Sequence, residues 1–565
     1  MDAESSEINE TTRLLDSSSP SPKSSPAQSN EPNHDEVNPT EHETNTSQKH
    51  LQTWDKEHRK NLVLLLGVFI VNADSAILIS LFRQIASDFD QLASASWILN
   101  SYVIGTIVTQ PLFGKLSDVY GRKPLLLLAY GSHCAGSALS GVGLSFGALL
   151  FGRALCGIGH AGITVLISTL IVDLLPIRDV AVWRGYVYAV NQIGRAVGPP
   201  LGGFIVDRLS WRWTVLYQVP LNLVGLITIW WKMTFPPPIS HTGVDVTSWE
   251  PVTSRLSKLG RIDFSGSISL GIANVSLLLF LDHLQKRAGH SAQDLSVVVP
   301  LSTWVGFLAI FIVLEAAWAT EPILPLRLLI RRNVVSAYGI QFFQTAAMMA
   351  FYTSITLYFR VAMQDSSTAA ATRLVFAMLG TITGGLISGY LIRRTGRYRM
   401  VTSVATVLSN IAYLVIFLRW RGSTGWLETL YGFPVGFGFG VSLSAAFIGL
   451  TAGLDSSEVA MSTSGFYLTL NIGSLIGVSS ASLLVNSFVE RVLKERLCGI
   501  PGAAKIIRDV SSNLDNIERL PYQIVMIVRK TYTESLVIVW LFSLLGGCVG
   551  WVASLVMREG QLVKP

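Results

Sequence analysis

The sequence predicts an all-α protein that crosses a membrane about fourteen times, as two pseudo-symmetric six-helix halves plus an inserted helix pair. Composition is the first reason: half of the 565 residues are apolar and only 14% are charged, whereas soluble domains carry about 25% charged residues. Long apolar runs recur along the chain and are the second reason. The third is an internal repeat, in which residue patterns return after about 280 positions.

The apolar runs have the length that a membrane requires. A helix advances about 1.5 Å per residue, so crossing a core of about 30 Å takes about 20 residues. The predicted spans are 62–83, 98–116, 124–144, 148–172, 183–206, 213–232, 263–281, 299–318, 334–358, 374–392, 400–418, 427–452, 464–487 and 535–557.

These spans divide the chain into five regions. The first region, residues 1–58, is rich in Ser, Pro, Asn, Thr and acidic residues, which predicts a disordered tail. The regions are this tail at 1–58, one six-helix half at 59–232, a loop with the inserted spans 7 and 8 at 233–333, the second half at 334–557 with a long loop at 488–533, and a short tail at 558–565. Lys and Arg are enriched in the short loops on the side of the first tail, which predicts that both termini are cytosolic.

The repeat has two parts, and each relates the first half to the second. The segment from Gly114 to Lys123 after span 2 returns as Gly389 to Arg397 after span 10. In the other part, residues of span 5 match residues of span 13: Gly185, Asn191, Gly194 and Gly198 with Gly465, Asn471, Gly473 and Gly477. Spans 1–6 therefore correspond to spans 9–14.

The segment after span 2 has the pattern of a gating loop. Gly114 allows close helix packing, and Gly121 precedes the basic pair Arg122 and Lys123. Asp118 lies near that pair, so the three side chains predict a cytosolic charge cluster. A cluster that forms in one conformation and breaks in another is suited to hold a gate closed.

Four ionisable residues are predicted inside the membrane, where a charge costs about 2.5–3.5 kcal/mol on insertion scales. Asp74 in span 1 and Arg195 in span 5 lie near the midplane, with His160 of span 4 at a similar depth and Arg153 of span 4 farther from the cytosol. We interpret Asp74 as the proton-carrying group, with Arg153 as its partner and His160 as a possible relay. The alternative is a permanent Asp74–Arg195 ion pair that only fixes helix packing.

Polar side chains within the spans are candidates for substrate contacts or for hydrogen bonds between helices; they are Asn191, Asn274, Gln341, Gln344 and Asn471. The four cysteines have no Cys-x-x-Cys pairing, so no metal site or disulfide framework is predicted. The net charge of +6 is small and dispersed, which argues against nucleic-acid binding. Motifs of metalloproteases, serine hydrolases and phosphate-binding loops are absent from the sequence, so no enzyme and no cofactor are expected.

The N-terminal tail contains a sorting pattern. Glu10, Leu14 and Leu15 have the Glu-x-x-x-Leu-Leu spacing of an acidic dileucine signal. Such a signal is read by coat adaptors only where it is cytosolic and unfolded, as this tail is predicted to be. It therefore favours delivery to a vacuole or lysosome.

Three of these motifs resemble those of the major facilitator superfamily. The segment Gly114–Lys123 resembles the loop between its spans 2 and 3, and Arg153-x-x-Cys-Gly157-x-Gly159 resembles its span 4 motif. A third motif resembles the span 5 motif typical of antiporters, through Gly194, Gly198, Pro199, Gly202 and Gly203. The resemblance implies a major facilitator fold, proton coupling through Arg153 and membership of the fourteen-span drug:proton antiporter branch. Cys156 replaces the glutamine usual in the span 4 motif.

Within that branch the chain looks like the fungal vacuolar basic amino acid transporters. The segments that carry this likeness are Val68 to Phe89, Ala95 to Tyr102 and Trp211 to Leu221. The resemblance implies an antiporter in the vacuolar membrane that exchanges lumenal protons for cationic amino acids. Two alternatives remain: a drug or toxin exporter in the plasma membrane with the same fold, and a nutrient receptor that no longer transports.

Overall fold

The computed structural model describes residues 64–232, 263–286, 295–317 and 327–560, apart from 80, 83, 92–93, 366, 423, 453, 499, 501, 504–505 and 508–519. This part of the chain is almost entirely helical and contains no strand, as the sequence predicts. The predicted sorting signal and the predicted tail at 1–58 lie outside the described residues.

The helices follow the order of the predicted spans. They are α1 (Leu64–Ile79), α2 (Trp97–Tyr120), α3 (Arg122–Val142), α4 (Phe146–Leu174), α5 (Ile177–Arg208), α6 (Trp213–Leu216), α7 (Gln218–Lys232), α8 (Phe264–Lys286), α9 (Leu295–Ala317), α10 (Arg332–Val361), α11 (Ser367–Thr395), α12 (Tyr398–Arg419), α13 (Gly432–Thr451), α14 (Ser456–Arg496) and α15 (Tyr522–Val556). The short α6 and α7 together form one predicted span.

Among the described residues, 11 helices are both long enough and apolar enough to cross a membrane. Helix α1 is apolar but shorter, and the 24-residue α2 and 32-residue α5 are not among the eleven. Helix α5 carries arginines and amides in its interior, which lower its hydropathy although it lies in the bundle. Fourteen spans therefore remain a prediction.

The helices flanking the predicted loop 488–533 are longer than expected. Helix α14 continues to Arg496 and α15 begins at Tyr522, so the connection is much shorter. The two extensions contact each other: Arg496 donates to Glu534 at 2.7 Å and to the hydroxyl of Thr531 at 3.0 Å. These extensions contain several charged residues, so they do not appear as apolar runs in the sequence.

The two halves pack against each other through helices that the repeat relates. Helix α2 contacts α14, and the corresponding pair α11 and α5 also contact each other. The repeat extends to the backbone, since Gly121 and Gly396 both have a positive φ, of 88° and 69°. Both glycines turn the chain out of a helix, at the ends of α2 and α11. The inserted helices α8 and α9 pack together, and α8 contacts both α2 and α14.

Glycines of α5 bring this helix close to α1. A Cβ atom on Gly194 or Gly198 would lie 2.9 Å from a backbone oxygen of α1, that of Phe69 or Ala73. A Cβ atom on Gly202 would lie 2.9 Å from Ile77. Gly203, in contrast, has no atom within 4 Å of that position. The predicted span 5 motif thus places α5 against the helix that carries Asp74, and α5 remains helical through Pro199.

The contact between α1 and α5 yields a test of this packing. We expect Gly198→Ala to lower the thermal unfolding temperature in detergent, because the new methyl group meets the Ala73 carbonyl and Ala76, and overpacking costs about 1–3 kcal/mol. Gly203→Ala is the matched control on the same helix, and we expect no loss because its methyl group meets open space. Equal unfolding temperatures for the two variants would contradict this packing.

Candidate functional site

A buried ion pair joins α1 and α4 in the first half. Arg153 donates from Nη1 to both carboxylate oxygens of Asp74, at 3.1 and 2.9 Å. Both side chains are almost completely excluded from solvent. Gln218 of α7 donates a further hydrogen bond to Asp74 Oδ1 at 2.7 Å. The predicted partnership of Asp74 with Arg153 is therefore present in this conformation.

Side chains from α2, α3 and α7 complete the surroundings of this pair. The Arg153 guanidinium lies over the Tyr102 ring at 4.6 Å, a cation–π contact. His133 Nε2 lies 3.8 Å from Asp74 Oδ2, and its Nδ1 lies 3.1 Å from the amide of Asn222. Five helices therefore contribute to one polar cluster inside this half.

The same cluster contains three groups of the kinds that bind metals. Asp74, His133 and Cys156 each offer a ligand atom within 4.8 Å of the others. However, Arg153 donates to both oxygens of Asp74, so a divalent ion would lie against a guanidinium. The arrangement favours a charge pair over metal coordination.

A polar cavity lies between the two halves. It is partly open to solvent. Its lining includes amides and hydroxyls from both halves, among them Gln110, Asn191, Gln192, Thr345 and Asn471. Asn471 donates to Gln110 at 2.6 Å and so joins α14 to α2 across the cavity wall.

Two of the predicted site residues, Arg195 and His160, line this cavity. Arg195 donates from Nε to Asn72 Oδ1 at 3.3 Å and is not bonded to Asp74, so the alternative Asp74–Arg195 ion pair is not formed here. The His160 ring lies 5.5 Å from the Tyr102 ring. His160 and Tyr102 therefore connect the cavity to the Asp74–Arg153 pair.

A layer of buried side chains joins the two halves between the cavity and the end of the bundle that carries Gly114–Lys123, which we call the signature end. Arg184 donates to the hydroxyls of Ser168 and Tyr467, at 2.7 and 2.9 Å, and also bonds the Tyr188 hydroxyl. Its guanidinium lies 3.7 Å from the centre of the Phe447 ring. Tyr467 and Phe447 belong to the second half, so Arg184 links the halves just beyond the cavity.

The predicted charge cluster at the signature end is present in a modified form. Arg122 pairs with Asp118 at 2.5 Å and with Asp173 at 3.0 Å, whereas Lys123 donates to the backbone oxygen of Trp230 at 3.0 Å. These contacts join α2, α3, α4 and α7 of one half. Gly114 reaches the other half, since a Cβ there would lie 2.6 Å from Ser464 Oγ.

Among the described residues, an ion pair that crosses between the halves at this end involves other side chains. Arg393 of α11 pairs with Asp179 of α5 at 3.1 Å. Arg393 lies in Gly389–Arg397, the repeat of the segment Gly114–Lys123. The predicted gating cluster, in contrast, consists of residues of Gly114–Lys123 itself. A gating role for Asp118 and Arg122 therefore has to act through the position of α2 against α14.

The other predicted polar residues fall into two groups. Asn191 and Asn471 line the cavity. Gln344 donates to the Gly547 carbonyl at 3.3 Å and so joins α10 to α15, while Gln341 bonds Thr345 on its own helix at 2.6 Å. Asn274 is buried on α8. These last three residues do not themselves line the cavity.

Sequence reasoning missed several residues of the site. His133 and Arg184 are fully buried ionisable groups and were not identified, although both lie within predicted spans. Gln218 and Tyr102 appeared only within segments used for the family resemblance. An ionisable residue inside a span is a signal that could have identified His133 and Arg184, but their partners come from distant helices.

Comparisons with known proteins agree with this architecture. Solved structures with a similar fold include the human organic anion transporter MFSD10 (TM-score 0.51, 15% identity, 86% of this chain and 99% of that one). Another is the proton:xylose symporter XylE (TM-score 0.52, 12% identity, 89% and 96%). At such identities the likeness concerns the fold alone.

Several similar curated proteins come from Schizosaccharomyces pombe. The vacuolar membrane amino acid uptake transporter fnx2 is 26% identical, over 84% of this chain and 78% of its own length. The multidrug resistance protein fnx1 is 27% identical, over 85% and 88%. The family model of the Major Facilitator Superfamily matches residues 64–478. Since this match covers most of the chain, the protein belongs to the Major Facilitator Superfamily and is a multi-pass membrane transporter, not an enzyme.

Proposed function

We propose that this protein is a proton-coupled antiporter that moves basic amino acids from the cytosol into the vacuole. The observation that carries the proposal is the buried Asp74–Arg153 pair, which His160 and Tyr102 connect to a cavity shared by both halves. A carboxylate that exchanges an arginine for a proton supplies a coupling step. The similarity to a vacuolar amino acid uptake transporter supports the substrate class and the membrane.

Coupling requires that protonation of Asp74 change the contacts of Arg153. In this conformation Asp74 accepts all its bonds as a carboxylate, from Arg153 and Gln218. A proton on Asp74 removes the charge that holds the Arg153 guanidinium, which then has to find other acceptors. Because Arg153 also lies against Tyr102 of α2, this change is transmitted to a helix that contacts the second half.

Alternating access then requires the two halves to separate at the signature end. Arg184 with Tyr467, and Arg393 with Asp179, join the halves there, so both contacts have to break for the cavity to reach that side. By the predicted orientation this side is the cytosol, which supplies the amino acid. The proton would enter from the acidic lumen and leave to the cytosol.

Export of drugs from the plasma membrane is the second candidate function. Sequence similarity supports the two functions equally, since this chain is 27% identical to the multidrug resistance protein and 26% identical to the amino acid transporter. The sorting pattern of the tail favours the vacuole. A coat adaptor is the partner that this pattern implies.

The role of Asp74 leads to a direct prediction. We expect Asp74→Asn to reduce protonophore-sensitive uptake of radiolabelled lysine by isolated vacuoles to the level of vacuoles that lack the protein. The reason is that an amide cannot take up and release a proton as a carboxylate does. Asp74→Glu, which keeps the carboxylate, should retain part of the uptake. Asp207→Asn, at an exposed position of α5, is the matched control and should transport normally.

Loss of the Asp74 charge leaves Arg153 buried without its partner, which costs about 3–5 kcal/mol in buried pairs. Size-exclusion chromatography of each purified variant therefore accompanies the uptake assay. Normal lysine uptake by a folded Asp74→Asn protein would show that the coupling role is wrong.

The predicted sorting signal gives a separate prediction. We expect the double substitution Leu14→Ala and Leu15→Ala to move a fluorescent fusion of the protein from the vacuolar membrane to the cell surface, because the adaptor no longer reads the tail. Leu51→Ala changes a leucine of the same tail outside the motif and serves as control. Vacuolar fluorescence of the double variant equal to that of the wild type would contradict the sorting role.

A further inference from the structure

We propose that Arg195 binds the carboxylate of the substrate, so that a free carboxylate, rather than a cationic side chain, is the group that this cavity requires. The inference rests on the proposed function and specifies which part of an amino acid is recognised. It concerns ligand binding in the cavity and is separate from the coupling role of Asp74.

Arg195 is the only Lys, Arg, Asp or Glu among the described residues that line the cavity. Its Nε donates to the neutral amide oxygen of Asn72, and no carboxylate of the described residues forms an ion pair with it. Removing a guanidinium from water is costly without an anion. A substrate carboxylate bound in the cavity would supply that anion.

Three other arginines in the interior of the first half show why Arg195 is distinct. Arg153 is neutralised by Asp74, and Arg122 by Asp118 and Asp173. Arg184 is fully buried, its partners are hydroxyl groups and aromatic rings, and it does not itself line the cavity. Arg195 alone among these four combines partial exposure with a position on the cavity wall.

The rest of the lining suits the other polar groups of an amino acid. Asn191, Gln192 and Asn471 offer amide oxygens, which accept hydrogen bonds from ammonium groups. The rings of Tyr188 and Tyr352 also face the cavity and attract cations weakly. Since these groups are neutral, the attraction for a second ammonium group is weaker than the attraction of Arg195 for a carboxylate.

Lysine and cadaverine make a clean comparison. Cadaverine is lysine without its carboxylate, so it keeps both ammonium groups and the carbon chain between them. If Arg195 selects the carboxylate, cadaverine should compete poorly although it carries more net positive charge than lysine. A cavity that selects cations would instead bind cadaverine at least as well.

The test measures equilibrium binding of radiolabelled lysine to the full-length protein in lipid nanodiscs, at one pH and without a gradient. We expect cadaverine to compete about tenfold to a hundredfold less well than unlabelled lysine, the loss that follows from one charge-assisted contact. We expect Arg195→Gln to weaken lysine binding by a similar factor and Arg195→Lys to restore part of it. Arg208→Gln, an exposed position on the same helix, should bind like the wild type.

The outcomes separate the two claims. Equal competition by cadaverine and lysine, or unchanged lysine binding by folded Arg195→Gln protein, would overturn the role of Arg195. In that case protonophore-sensitive vacuolar uptake of lysine would still support the proposed function. If the wild-type protein neither binds nor transports any amino acid, both the proposed function and this inference are wrong.

Discussion

The pairing of one carboxylate with one guanidinium inside the membrane is the constraint on which the rest of the site depends. Asp74 and Arg153 are stable there only together, since either charge alone costs several kcal/mol in a dry interior. Their bonds fix α1 against α4, and Gln218 adds α7. The pair is therefore both a structural element and a group whose charge balance a proton can change.

The packing of the halves determines what such a change can reach. Glycines allow α1 to approach α5 and α2 to approach α14, so small movements of Asp74 or Tyr102 act on helices that line the cavity. At the signature end, Arg184 holds Tyr467 of the other half, one helical turn beyond Tyr188, which lines the cavity. The cavity, the Asp74–Arg153 pair and the Arg184 contacts between the halves are thus connected by contacts between side chains.

The helical fold, the repeat and the positions of Asp74, Arg153 and Arg195 could be predicted because hydropathy, glycine spacing and intramembrane charge are local properties of the sequence. Partners could be predicted less well. Whether Asp74 meets Arg153 or Arg195 depends on how three helices rotate, and His133 and Arg184 acquire their surroundings from helices far away in the chain. The interhalf ion pair between Arg393 and Asp179 likewise depends on the docking of α11 against α5.

Proton-coupled exchange in a purified system tests the central claim most directly. The protein would be reconstituted into liposomes that contain a pH-sensitive dye, with an acidic interior, and lysine would be added outside. The account predicts that lysine enters while protons leave, and that reversing the pH gradient reverses lysine movement. Lysine movement that is independent of the gradient, or proton leakage that is independent of lysine, would contradict it.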